Sequence, residues 1–217
     1  CTITIAPLAA VPSVERHLKP SHAISILGTR DEVAFPRIRA SNILRLAFDD
    51  VGYTSEFGRA ASAENISELI SFAQSWAGSG NLLIHCKAGT SRSVAAGMIA
   101  LASIGIPEPD EQIVKLLRLK NYYRPNSTML RLADRLLGYR TTLLEMSHTC
   151  VRTQEPQKVG PATMTIRLSP NPSSHRKIFE ASFAYTRGTG TVPIPYRNYL
   201  QREASFQVDR RPGQDFR

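Results

Sequence analysis

The sequence predicts an α/β three-layer sandwich, with a central, largely parallel sheet of about four to five strands flanked by helices. Three observations lead there. Short apolar runs at residues 2–5, 23–27, 43–48 and 82–84 have the length and composition of strands. Helical stretches fall between and after them, the alternation that builds a parallel sheet through crossovers. Turn formers stand at the ends of these runs: Gly28, the series Asp49-Asp50-Val51-Gly52, and Gly78-Ser79-Gly80.

Taken in order, Thr2-Ile3-Thr4-Ile5 alternates as a strand should. The apolar stretch 2–11 lacks a basic leader and carries Pro7, so it reads as a first strand and not as a secretory signal. Residues 12–18 predict a short helix ended by Pro20. Residues 23–27 form the second strand, 29–41 a charged loop and 43–48 the third strand. From Ser62, a plausible N-cap, the positions Ile66, Leu69, Ile70, Ala73 and Trp76 make one apolar stripe of a helix. Leu82 to Ile84 has the look of a strand buried on both faces, and an Ala-rich helix follows over 94–101. Two covering helices are predicted after Pro109 or Asp110 and after Asn126 or Ser127, with residues 121–126 as the turn between them.

These elements place the α/β domain within residues 1–147. Residues 148–217 hold seven of the fourteen prolines and no helical stripe, and are expected to be an extended or disordered tail. The net charge of +9 is uneven: 16 Lys/Arg against 13 Asp/Glu before residue 148, and 11 against 5 after it. The basic excess therefore belongs mostly to the tail and says little about a substrate of the front domain. Seven tail aromatics interleave with arginines, but solvated disorder accounts for them better than RNA contact. No apolar run approaches the 20 or so residues of a membrane span. Three cysteines, at 1, 86 and 150, have neither disulfide nor metal spacing, which suits a reducing compartment and a cytoplasmic address.

The run His85-Cys86-Lys87-Ala88-Gly89-Thr90-Ser91-Arg92-Ser93 carries the chemistry. It lies between a strand and a helix, is too small and polar to be core, and can turn its backbone N–H groups inward as an anion cradle at a helix N-terminus. Cys86 leads this loop and Arg92 closes it. Thiols in such a positive field ionise more readily than free ones, and the thiolate is the nucleophile. A guanidinium can grip two oxygens of a phosphoryl group. Ser93 is placed to donate a hydrogen bond to the sulfur.

On these residues the chain resembles the cysteine-dependent protein tyrosine phosphatases, whose signature is His-Cys-x5-Arg-Ser/Thr. The lack of extra elements makes it similar to compact dual-specificity and small bacterial members. The resemblance covers about residues 2–147. It implies a cysteine-phosphatase-like fold, attack by Cys86, and binding of the substrate phosphate by Arg92 with the amides of Lys87, Ala88, Gly89, Thr90 and Ser91. It also implies a supporting role for His85, expected to orient the loop through hydrogen bonds. No metal or other cofactor is called for, because the cradle supplies the positive field. A general acid is still needed, since alkoxide and phenoxide leave poorly without a proton. The family's acid ends a strand some thirty-odd residues before the nucleophile. The stretch Leu44-Arg45-Leu46-Ala47-Phe48-Asp49-Asp50 fits with Asp50, 36 residues ahead of Cys86, and Asp49 is the fallback.

A phosphoprotein or phosphopeptide, tyrosine or dual-specificity, is the expected substrate. Lys87-Ala88-Gly89 also looks like the start of the loop in phosphoinositide phosphatases, although Thr90 and Ser91 bring no second cation. A sulfurtransferase would leave Asp50 and Ser93 idle. A non-catalytic phosphate-binding module would not need an intact acid. The sequence carries no signal for oligomeric state.

Overall fold

The structure is a computed structural model, and it describes residues 1–28, 31–105, 109–118, 124–138, 142–152, 163–170, 179–187 and 190–193. Four parallel strands form its centre: β1 (Thr2–Pro7), β2 (His22–Leu27), β3 (Ile43–Ala47) and β4 (Asn81–Cys86), in the order β3-β2-β4-β1. Side chains alternate across a strand, and here both faces are apolar. Ile3, Ile5, Ile24, Ile26, Leu46, Leu82 and Ile84 enter the larger core. Ala6, Ala23 and Leu83 enter a smaller one with Val11, Val14, Phe35 and Ile38. Burying each large side chain contributes about 1.5–3 kcal/mol.

Helix α1 (Val11–Leu18) supplies Val11 and Val14 to the smaller core. On the opposite face lie α2 (Ala63–Trp76), α3 (Arg92–Ser103), α4 (Pro109–Arg118), α5 (Ser127–Leu137) and α6 (Leu143–Arg152). The expected cap of α2 is present as a reciprocal pair: Ser62 Oγ accepts from Asn65 N–H, and Asn65 Oδ1 accepts from Ser62 N–H. Its inward stripe is Ile66, Leu69, Ile70, Ala73 and Trp76, as the sequence predicts. Helix α3 lies so close to β1 that a methyl group on Gly97 would stand 2.7 Å from Ile5 Cδ1.

Two features depart from the sequence expectation. The expected parallel centre of four strands is present, and three antiparallel strands extend it beyond β1. In the stretch read as a tail, β5 (Thr163–Pro170) pairs antiparallel with β1, followed by β6 (Phe179–Arg187) and β7 (Gly190–Pro193). Thr4 and Thr165 hydroxyls meet across the β1–β5 pair at 3.0 Å. Helix α6 spans the boundary drawn at residue 147. Its first amides are capped both locally, Thr142 Oγ1 accepting from Glu145 N–H at 3.1 Å, and at long range, Asp134 Oδ1 accepting from Leu143 N–H at 2.6 Å. Part of the predicted turn, residues 121–123, lies outside the described residues, as do 194–217.

The register fixes where a site can form. Pro7 pairs with Cys86, Ser25 with His85 and Leu27 with Ala47, so the carboxyl ends of the four parallel strands share one edge. That edge is where open α/β sheets bind ligands.

Candidate active site

Strand β4 delivers Cys86 to this edge, and the loop 87–91 carries the chain into α3. The loop is pressed onto the end of β1, with Leu8 N–H donating to Lys87 O at 3.1 Å. Gly89 has φ 72°, and a Cβ there would lie 2.6 Å from Pro7 N, so both the backbone angle and the close approach demand glycine. Cys86 is 1% exposed, at the floor of the loop. Gly89 N–H donates to its Sγ at 3.3 Å, and Ser93 Oγ stands 3.2 Å away. The expected contact between Ser93 and the sulfur is therefore formed.

Ser91 occupies the N-cap position of α3 but makes no capping hydrogen bond. Its hydroxyl instead donates to Asp50 Oδ1 at 2.7 Å. The first amides of the helix are thus not taken up by the cap side chain, as an anion site requires. Arg92 is 6% exposed and its guanidinium donates to Phe48 O at 2.7 Å. The cation of the loop is thereby anchored to the end of β3, two residues before Asp50. Its Nε–H is buried and has no hydrogen-bond partner among the described residues.

The two aspartates separate. Asp50 faces the loop, where its Oδ1 accepts from both Ser91 and Asn126 Nδ2, the latter at 2.9 Å. Asp49 turns the other way: its Oδ2 accepts from Arg59 N–H at 2.9 Å, and its backbone N–H donates to Arg59 O at 2.7 Å. Further pins hold the segment between them and α2. Ser55 and Gly58 bridge, Ala60 N–H donates to Thr54 Oγ1, and Thr128 Oγ1 donates to Gly52 O.

Two neighbouring side chains lie outside the cradle, and for His85 the expected role needs correction. The Lys87 side chain is not in the cradle; its ammonium pairs with Asp31 at 3.1 Å, so only its backbone remains for the loop. A side chain five bonds long reaches the better-paired position, here a carboxylate outside the loop. His85 makes none of the hydrogen bonds expected of it: both ring nitrogens are buried with no partner among the described residues. It faces the smaller core, packed on Phe35 with ring centroids 5.6 Å apart. Desolvation pushes its pKa down to about 4; the Cys86 backbone partly opposes this, and the cations of Arg45 and Arg92 reinforce it. The ring is neutral and acts by packing. Sequence reasoning missed Asn126 as a partner of the acid. It was legible only as the cap of α5, which it also is, its Oδ1 accepting from Met129 N–H at 3.1 Å.

Solved structures with a similar fold are cysteine phosphatases and their relatives, at low identity. The crystal structure of DUSP15 has 16% identity over 71% of this chain and 94% of its own, with a TM-score of 0.48. The PTP-2 phosphatase of Cydia pomonella has 17% over 61% and 84%, with a TM-score of 0.47. The human tyrosine phosphatase-like serine/threonine/tyrosine-interacting protein has 16% over 61% and 85%, with a TM-score of 0.43. No family model and no curated protein matches the chain. Function has to be argued from the site itself. Among the described residues, no helix is long and apolar enough to cross a membrane.

Proposed function

We propose that this chain hydrolyses phosphate monoesters on protein side chains, phosphotyrosine first and phosphoserine or phosphothreonine with it, through a phosphocysteine. One observation carries the reading: the acid and the nucleophile are tied to the same loop, Asp50 through the Ser91 hydroxyl and Cys86 through Gly89 N–H and Ser93. A buried structural cysteine would need neither tie.

In the first step Cys86 Sγ attacks phosphorus and the P–O bond to the substrate breaks. Arg92 and the loop amides bind the non-bridging oxygens, where charge develops. The orphaned Arg92 Nε–H is a donor that such an anion would satisfy. Asp50 Oδ1 already accepts two hydrogen bonds, so the proton rides on Oδ2 and passes to the leaving oxygen. In the second step Asp50, now a carboxylate, takes a proton from water as its oxygen attacks phosphorus. The S–P bond breaks and the Ser93 hydroxyl stabilises the departing sulfur. Three carboxylates beside the loop, Asp31, Asp49 and Glu56, weigh against a substrate with further phosphates, such as a phosphoinositide.

The test is phosphate release from phosphotyrosine, phosphoserine and phosphoinositide substrates. Turnover of the peptides that vanishes in Cys86→Ser supports the proposal. Turnover confined to the lipid, or unaffected by Cys86→Ser, contradicts it.

A further inference from the structure

Beside the phosphate loop lies a cavity of about 480 Å³, lined by Asp31, Asp49, Glu56, Phe57, Arg59 and Lys87 among others. Lys87 follows the nucleophile directly, so the cavity opens one residue from the reacting sulfur. Charges on its wall are not balanced. The Lys87 ammonium is engaged by Asp31. Arg59 also lines the cavity and forms no ion pair among the described residues. Asp49 meets only a backbone N–H at its Oδ2, and Glu56 forms no ion pair among the described residues. Two carboxylates, Asp49 and Glu56, therefore stand against the one remaining cation among the described residues of the wall, Arg59, and the wall keeps a negative excess.

The apolar part of the wall is as unusual. Phe57 sits at the tip of the Ser55–Gly58 turn and is 88% exposed, while Tyr53 on the same loop is 77% exposed. Aromatic rings held out on a pinned loop at the mouth of a site are a binding surface and not core. An aromatic face beside unbalanced carboxylates fits a planar cation, because a guanidinium can stack on the ring and bond to the oxygens at once.

We infer that this cavity is a specificity site for a cationic residue, arginine above lysine, flanking the phosphorylated residue of the substrate. The occupant belongs to the same peptide whose phosphoryl group is held by the loop, so the inference rests on the phosphatase reading for its context. Glu56 and Phe57 are specificity residues and take no part in the chemistry.

The experiment compares three phosphotyrosine peptides that differ only in having Arg, Ala or Glu beside the phosphorylated residue, with wild type, Glu56→Gln and Phe57→Ala. Partly exposed ion pairs contribute little singly, so the expected preference in kcat/KM is about tenfold from Arg to Glu, shrinking about threefold in either variant and in high salt. Hydrolysis of a small aryl phosphate, which cannot reach the cavity, stays unchanged in both variants. Equal rates on the Arg and Glu peptides would overturn the inference, as would a preference that survives both substitutions. The aryl phosphate rate tests the phosphatase reading separately. Should it be nil, the same peptides are ranked by fluorescence anisotropy: tighter binding of the Arg peptide that is lost in Glu56→Gln upholds the site, and equal binding overturns it.

Discussion

Asn126 Nδ2 donates to Asp50 Oδ1 across 76 residues of sequence, at 2.9 Å, while the Oδ1 of the same amide caps α5. One side chain, 8% exposed, thus ties the start of a covering helix to the Asp50 carboxyl, the proposed acid. Together with Ser91 it holds the carboxyl against the loop in the resting protein, and no loop closure is needed to bring it there.

Asn126→Ala should lower kcat about tenfold on esters with poor leaving groups, a fraction of what a general acid supplies in full. It should leave a nitrophenyl ester nearly untouched. Loss of the cap should also cost about 1 kcal/mol of stability. A purely structural role would lower both substrates' rates alike.

Asp50→Asn should cost about 10²–10⁴-fold on a poor leaving group and much less on a good one. Asp49→Asn should lack this dependence, because Asp49 holds the Arg59 backbone, while Ser91 of the loop bonds to Asp50. A leaving-group series on both variants separates them, and the reverse pattern would transfer the acid role to Asp49.

Gly89→Ala should abolish activity. Its Cβ would fall 2.6 Å from Pro7 N, in a left-handed conformation that alone costs about 1–3 kcal/mol. Kinetics together with urea unfolding check it: turnover within a few-fold of wild type would mean that the loop can stand away from β1.

His85 sets a pH dependence of stability. Its folded pKa, about 4, lies below the ordinary 6.5. The unfolded chain therefore binds more protons between these values, and stability rises with pH there. The contribution is complete above about 6.5 and is lost as pH falls towards 4, with about 2 kcal/mol gone near pH 5. The charges facing the ring, Arg45 and Arg92, remain cationic throughout. Urea unfolding at neutral pH and near pH 5 should show this slope in wild type and a weaker one in His85→Asn.

The sequence made some of this legible and hid the rest for physical reasons. Strand alternation at Ile3/Ile5 and Ile24/Ile26, the Ser62 cap and the spacing from Cys86 to Arg92 are local patterns, and each appears where local rules put it. Asp50 could be chosen over Asp49 only through family spacing; the structure separates them by partner, the side chains of Ser91 and Asn126 for Asp50 and the Arg59 backbone for Asp49. Helix α6 starts on a local Thr142 cap that sequence reading passed over and is also held by a carboxylate from α5, while β5 depends on the free edge of β1. His85 was assigned by its position in the motif, but its ring packs against Phe35, and the Lys87 ammonium, to which no role was given, reaches Asp31; both partners come from the charged loop after β2.

The measurement that bears most directly on the account is a search for phosphate on the sulfur. In Ser93→Ala the departing thiolate loses its hydrogen-bond donor, so the second step should slow and the intermediate accumulate. Rapid quenching of this variant with an aryl phosphate, followed by peptide mapping, should show a burst of aryl product and one phosphoryl group on the peptide containing Cys86. Steady turnover with no burst and no phosphoryl group on Cys86 would contradict the mechanism.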